Sequence, residues 1–359
     1  MTYLDHNAGT PLHPDVAAFL ADAYRREPPG NPSSVHAAGR AARARLDEAR
    51  ARAGRVLGRP AREVLFTASG TEACATAVLG LGAGGTLVTA AIEHPAVLLA
   101  AERRGSRVVQ LLPGSDGRMA VETFAEALEA GDVTACALQA ANNETGVLQP
   151  VAGVLEVTRR RGVPLFVDAV QMPGREAAVV EAEAVAYSAH KFGGPAGVGL
   201  LVAGRSVQLE ALIPGHQEGG RRGGTPPVVL CEAAALALEL AERERGLEAA
   251  RLRRLRDGFE ETLRSGMSGV RVNGAGVPRL CNTSNVCFPV GDGEALLIRL
   301  DLAGVAVSLG SACASGTMRP SPVLRAMGLT EAEARRSLRF SFGRDTTDAD
   351  VLALTTRLL

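Results

Sequence analysis

The chain is almost without lysine. Its 359 residues carry 39 basic side chains, of which 38 are arginine and one is Lys191. Arginine stays protonated and serves wherever a fixed positive charge is enough. A lysine amine loses its proton when desolvated and can then attack a carbonyl. A single lysine among arginines therefore points to Schiff-base chemistry, against the plainer reading of a chance survivor in an Ala-, Arg- and Gly-rich composition. Net charge is lacking too: 39 acidic residues offset the basic ones, and the pI is near 7.0. That balance argues against a nucleic-acid or anionic-membrane partner. The runs RRR (159–161) and RLRRLR (251–256) read instead as exposed helix faces. No apolar run reaches the roughly 18 residues of a membrane span. The opening MTYLDHNAGT has no charged segment leading into an apolar one, which predicts a cytoplasmic protein. Cysteines are few and scattered: Cys74, Cys136, Cys231, Cys281, Cys287 and Cys313. Disulfides are not expected, and each cysteine is by default a small buried hydrophobe. Cys281 and Cys287 have the wrong spacing for a zinc knuckle, and no histidines gather near them, so no metal site is expected.

What is present is a large apolar fraction, 46%, with 41 glycines, in a chain too long for one typical core. From 63 to 202, short apolar segments alternate with helical ones. Strands are expected at 63–69, 86–92, 107–112, 133–139, 163–169, 184–189 and 198–203. This pattern predicts an α/β fold with a mostly parallel sheet sandwiched by helices. Residues 227–265 read as one or two amphipathic helices. Strands expected at 286–290, 305–310 and 337–342, mixed with helices, suggest a smaller α+β C-terminal domain.

In open α/β sheets ligands lie beyond the carboxyl ends of the strands. The residues there are Thr67–Thr71, Glu93–His94, Asn142–Glu144, Asp168–Gln171 and Ser188–Lys191. Gly70–Thr71 opens a helix and offers a phosphate site, or merely a cap. Asp168 ends the apolar run VPLFVD, where a carboxylate needs a cation or donor. A protonated pyridine nitrogen is one such partner; a turn-capping role is the other. Gln171 can reach the same ligand. An amine, an acid for a ring nitrogen and a phosphate cup together suggest pyridoxal 5'-phosphate (PLP). In SLRFSF, alternation puts Leu338, Phe340 and Phe342 on one face and Arg339 on the other, where a guanidinium fork suits a carboxylate.

The stretches YLDHNAGTP (3–11), GNPSSVH (30–36), FTASGTEA (66–73), EHPAV (93–97), NNETGVLQPV (142–151), VDAVQ (167–171), SAHKFGGPAGVG (188–199), RRGGTPPV (221–228), GSACASG (310–316) and LRFSFGR (338–344) run along nearly the whole chain. In that order they resemble the cysteine desulfurases of the NifS/IscS type, within the PLP fold-type I, class V aminotransferase superfamily. The resemblance implies a large PLP-binding domain, 11–245, and a small domain of 1–10 with 246–359. It implies conversion of L-cysteine to L-alanine, with the sulfur passing to Cys313 as a persulfide and then to an acceptor protein, possibly an iron–sulfur scaffold. Lys191 would hold PLP by its amine, Asp168 would protonate the ring nitrogen, and Gln171 would bond the phenolic oxygen. His94 would stack on the ring and move protons. Gly70, Thr71, Ser188 and His190 would hold the phosphate, with Thr225 reaching it from a second subunit of a homodimer. Asn143 and Arg339 would receive the substrate carboxylate. In place of the family's usual polar pair after GTE stand Cys74 and Ala75; Gly219, Gly223 and Leu309 are further departures. A selenocysteine lyase, an aminotransferase of the same superfamily and a catalytically weak sulfur-relay subunit are the competing readings, and the thiol of GSAC favours the desulfurase over the aminotransferase.

Overall fold

The structure is a computed structural model that describes residues 1–25, 30–82, 84–204, 207–309 and 319–359. Cys313 lies outside the described residues. The strands are β1 (Thr2–Tyr3), β2 (Val64–Thr67), β3 (Thr86–Ala90), β4 (Val108–Leu111), β5 (Val133–Gln139), β6 (Leu165–Asp168), β7 (Ala184–Ser188), β8 (Gly199–Ala203), β9 (Arg271–Val272), β10 (Thr283–Cys287), β11 (Val305–Ala306) and β12 (Ser337–Ser341). Seven of them form one sheet in the order β2-β8-β7-β6-β5-β3-β4. All its pairings are parallel except the two that β8 makes with β2 and β7.

Both faces of that sheet are covered, and the strand alternation shows how. Cys136, Leu138, Leu165, Val167, Val185 and Tyr187 join one core with Leu46 of helix Ala37–Val56 and Leu238 of the long helix Val228–Gly266. Ala135, Ala137, Phe166, Ala184 and Ala186 join the opposite core under helices Gly70–Gly80 and Pro95–Arg103. The second core is alanine-rich, which lets those two helices sit close to the strands.

A third core lies against the small sheet β12-β10-β9. Leu338, Phe340 and Phe342 all enter it, as their alternation predicts, with Phe259 packed 4.9 Å from Phe340 and 5.7 Å from Phe342. Each such buried aromatic is worth roughly 1.5–3 kcal/mol. The segment 227–265 is a single helix of 39 residues; its first half packs on the large sheet and its second half, from Ala249, on this third core.

Three expectations are corrected. The strand expected at 286–290 runs instead from Thr283 to Cys287. Its polar residues are buried and bonded, Asn285 to Asn273 and Glu144, while Pro289 has no N–H to extend a ladder. The strand expected at 305–310 is two residues long and pairs with β1, which the sequence pattern did not reveal; Ser308 makes a single bridge to Arg339. In RLRRLR, Arg253 and Arg254 are exposed, but Arg256 is buried and donates to Leu280 O (2.6 Å) and Asp257. The arginines of 159–161 are exposed as expected. Among the described residues no helix is long and apolar enough to cross a membrane.

β8 starts at Gly199 because nothing larger fits: a Cβ there would stand 2.4 Å from Ser69 C and 2.8 Å from Gly70 N. Both are backbone atoms at the start of helix Gly70–Gly80 and cannot swing aside. Gly199→Ala is expected to cost about 1–3 kcal/mol, read as a lowered Tm. An unchanged Tm would show that this helix start has room to move.

Candidate functional site

The carboxyl ends of β2, β5, β6 and β7 and the turn after β3 open on one cavity of about 340 Å³. That falls in the range of small-ligand sites. Of the residues singled out from sequence, Gly70, Thr71, His94, Asn143, Asp168, Gln171, Ser188, His190, Lys191 and Arg339 all line it. Thr225 is exposed and stands outside this cavity.

A single 3-10 turn after β7 carries Lys191 to the cavity, where Nζ donates to Asn7 O (2.6 Å) and Ala8 O (2.8 Å). Asp168, the last residue of β6, is buried and accepts from Val170 N (2.9 Å). Burial pushes its carboxyl up, opposed by the Val170 N–H, by His94, by the Cys74 thiol and by Lys191. Such a carboxylate is held ionised by a cation, and a protonated ring nitrogen supplies one. His94 caps helix Pro95–Arg103, its Nδ1 accepting from Ala96 N (3.0 Å). Its proton therefore sits on Nε2. Burial lowers its pKa, with Asp168 raising and Lys191 lowering it.

At the other end of the cavity, Ser69 caps helix Gly70–Gly80. Gly70 N donates to Ser188 Oγ (3.2 Å), and Ser188 Oγ bonds His190 Nδ1 (3.0 Å). A Cβ on Gly70 would meet Ser188 Cβ at 2.8 Å, so the glycine keeps this cradle open. Burial, then Lys191, lowers the His190 pKa to about 4, leaving a neutral ring. A helix N-terminus with hydroxyls and uncharged imidazole suits a phosphate.

Arg339 in β12 is 2% exposed, so it is no surface charge. Its Nη1 donates to Asn143 O (3.0 Å) and Nη2 to Asp5 Oδ1 (2.6 Å). Its buried Nε has no partner among the described residues. A buried donor without an acceptor is costly, and a carboxylate would satisfy it. The acid-bearing, phosphate-cradling and carboxylate-accepting ends thus fit PLP together with an amino acid.

Sequence reasoning missed Asn7, Asp5 and Arg175, and it placed Cys74 and Glu93 without a specific role. Asn7 lines the cavity and its carbonyl also accepts from Gln171 Nε2 (3.1 Å); it lies in the quoted stretch YLDHNAGTP, which was the available signal. Cys74 is buried, as expected of a small hydrophobe, but it also lines the cavity against Asp168. Asp5 and Arg175 act from behind the wall, and nothing marked Arg175 among 38 arginines. Glu93, expected at the cleft beside His94, is instead buried off the cavity lining, with Oε1 accepting from Gln139 N (2.8 Å) and Oε2 without a partner among the described residues. Among the described residues no group of three or more His, Cys, Asp or Glu side chains is arranged to hold a metal ion.

Residues 2–354 match the family model Aminotransferase class-V. An IscS-like cysteine desulfurase of Mycobacterium tuberculosis (strain ATCC 25618 / H37Rv) is 39% identical, over 98% of this chain and 93% of its own. A cysteine desulfurase of Cereibacter sphaeroides is 40% identical, over 97% and 92%. A solved structure titled NifS-like protein superposes with a TM-score of 0.92 at 30% identity, covering 99% of this chain and 98% of the other.

Burial, and after it the Asp168 charge, pushes the Glu93 carboxyl well above its ordinary 4.5, while the Gln139 N–H pulls it down. Above pH 4.5 the unfolded chain releases this proton and the folded chain keeps it. Folding then binds a proton, so this group's contribution to stability falls as pH rises. Glu93→Gln keeps the shape and removes the titration. Denaturant unfolding from pH 5 upward should show the variant gaining about 1.4 kcal/mol on the wild type per pH unit, until the raised value is passed. Parallel curves would mean that Glu93 is already ionised in the fold.

Proposed function

The chain belongs to the class-V aminotransferase family, and from that premise we propose that this cavity is the active site of a PLP-dependent cysteine desulfurase. L-Cysteine and the Cys313 thiol give L-alanine and a Cys313 persulfide. The C–S bond of the substrate breaks, an S–S bond forms, and the thiol proton and substrate electrons end on alanine, so no external oxidant or reductant is needed. The observation that carries the reading is the meeting, on one cavity, of the only lysine with a buried arginine whose Nε lacks an acceptor among the described residues.

PLP, when bound, supplies a ring that withdraws electrons from the α-carbon of the attached amino acid. The chain's residues do the rest. Lys191 would carry the group through its amine, and its Nζ, released by the incoming substrate amine, would move the proton at the α-carbon. Asp168 would hold the ring nitrogen protonated from its dry position at the end of β6. Gly70, Thr71, Ser188 and His190 would hold the phosphate by neutral donors. Gln171 would donate to the phenolic oxygen. His94, neutral with its proton on Nε2, would lie over the ring and pass that proton at the substrate. Arg339 would take the substrate carboxylate with its free Nε, beside Asn143, and so orient the Cβ–S bond. Ser308, five residues before Cys313, is bridged by backbone to Arg339 (2.7 and 3.2 Å). The Cys313 thiolate would be the nucleophile at sulfur.

We infer further that the enzyme is a cytoplasmic homodimer, that Thr225 reaches the second subunit's phosphate, and that an acceptor protein, an iron–sulfur scaffold among the candidates, takes the persulfide. The exposure of Thr225 away from its own cavity supports the dimer. The division into 11–245 and 1–10 with 246–359 is supported by the change of core along the long helix.

The test is turnover of L-cysteine with a thiol reductant, scoring sulfide and alanine together. Wild type should give equal amounts, and both Lys191→Arg and Cys313→Ala should lose at least about 99% of the rate, since each removes a group with no substitute. A Cys313→Ala variant that stayed active would remove Cys313 as the sulfur acceptor, and a wild type unable to bind PLP would end the reading altogether.

A further inference from the structure

Arg175 is buried, at 6% exposure, and has no carboxylate partner among the described residues. Its pKa is lowered to about 10, first by burial, with Cys281 raising it and Arg339 lowering it, so it remains a cation at neutral pH. Burying a charge without a counter-ion is costly, and proteins retain it only where the charge is held by other groups. Here oxygens hold it. Nη1 donates to Gln171 O (3.2 Å) and to Gln171 Oε1, and Nη2 donates to His6 O (3.0 Å). The chain turns back after Gln171 to make this possible, with Gly174 at φ 77° and Arg175 N bonded to Met172 O (3.0 Å).

The consequence falls on Gln171. An amide presents an acceptor at one end and donors at the other, and which way it points is settled by its partners. A guanidinium can only donate, so Oε1 faces Arg175. The Asn7 carbonyl can only accept, so Nε2 faces it, at 3.1 Å. One Nε2 hydrogen is thereby used and the second is left for the cavity that Gln171 lines. A charged donor on Oε1 polarises the amide and strengthens the N–H at its other end. The same Asn7 carbonyl accepts from Lys191 Nζ (2.6 Å), so the chain of bonds runs from Arg175 through Gln171 and Asn7 to the lysine.

We propose that Arg175 is a positioning residue that acts through Gln171: it locks the amide with its donor end toward the cofactor's phenolic oxygen and raises that donor's strength. The proposal rests on the reading of the cavity as a PLP site. A stronger donor favours the anionic phenolic oxygen and lowers the proton affinity of the conjugated nitrogen beside it. Other groups facing the cavity also bear on that proton affinity, namely Asp168, His94, His190, Lys191, Arg339 and Cys74. Arg175 is distinguished from them by not lining the cavity and by meeting it through the Gln171 amide.

The experiment is a pH titration of the bound cofactor's visible absorption band, in wild type, Arg175→Met, Arg175→Lys, Gln171→Leu and the double variant Arg175→Met/Gln171→Leu, with Tm and PLP retention measured alongside. Arg175→Met is expected to bind PLP and to shift the midpoint of the band upward by about one pH unit, as loss of a charged donor to the Gln171 amide weakens the bond at its other end. Arg175→Lys, which keeps a charge, should return most of the way. In the Gln171→Leu background the Arg175→Met shift should vanish, because the route is gone. Should Arg175→Met not fold, Arg175→Gln removes the charge while keeping donors for the same oxygens. A lowered Tm with an unmoved midpoint would overturn the proposal and leave Arg175 a structural strut. An equal shift in the Gln171→Leu background would overturn the route through Gln171. A wild type with no visible band after PLP addition would overturn the cofactor reading, and this proposal with it.

Discussion

The site depends on one buried residue of the N-terminal segment, Asn7. Its carbonyl takes hydrogen bonds from Lys191 and Gln171, which sit beyond two different strands of the large sheet. Its side chain donates to Asn143 O (3.1 Å), beyond a third strand, and to Thr283 Oγ1 (2.8 Å) on the small sheet, and accepts from Asn282 (3.1 Å). Its own N–H reaches Ser341 Oγ (3.0 Å) in β12. At 1% exposure every one of these groups would be costly to leave unpaired. Asn7 is thus held between the two sheets by polar bonds, while Leu4, three residues earlier, packs into the third core. Through this segment the lysine and the carboxylate-binding arginine share one frame: Asp5, two residues before Asn7, binds Arg339, and Ala8, one after it, binds Lys191.

Around this frame the electrostatics are arranged by desolvation. Two histidines at the cavity are kept neutral by burial, with Lys191 adding to the effect. Burial pushes two acids, Asp168 and Glu93, toward their protonated forms, against the backbone N–H bonds that each accepts. Arg339 on the cavity is paired with Asp5, and Arg175 behind the wall keeps its charge on carbonyl and amide oxygens. The result is a cavity with fixed cations and few committed anions, suited to a ligand that carries phosphate, phenolate and carboxylate. It also explains the division of labour between the basic residues. Arginine holds position because its charge survives burial, and the one lysine stands where the proposed chemistry needs an amine that gives up its proton.

The large sheet was legible because its strands are buried on both faces and read as continuous apolar runs ending in polar residues. At or just beyond the ends of those runs, Ser69, Asp168 and Ser188 line the cavity. Arg339 was legible for a different reason: alternation in SLRFSF left it on the face away from three aromatic or aliphatic side chains. What stayed hidden was held by hydrogen bonds between distant segments. β10 is TSNVC, and its polar first half looks like a loop until Asn273, Glu144 and Asn7 are placed around it. β1 and β11 are two residues each and leave no periodic trace. Arg175 and Arg256 look like any exposed arginine, since nothing local says that carbonyls will gather around them.

Cys74 shows how far a departure from the family pattern can be absorbed. The position faces Asp168, with Glu93 also near. A carboxylate there would set a third acid in a dry pocket, and like charges at that range raise one another's proton affinity. The thiol avoids this. Burial, then Asp168 and Glu93, pushes its pKa well up, so it stays protonated and donates its weak S–H to Asp168. Asp168 thereby keeps one more donor that favours its ionised form without gaining a competing anion. Because the sulfhydryl is a poor donor, most of what would hold Asp168 ionised in the proposed site would come from the ring nitrogen of the cofactor. On that reading the thiol would tie the charge of this acid more closely to the presence of the cofactor than a strong local donor would.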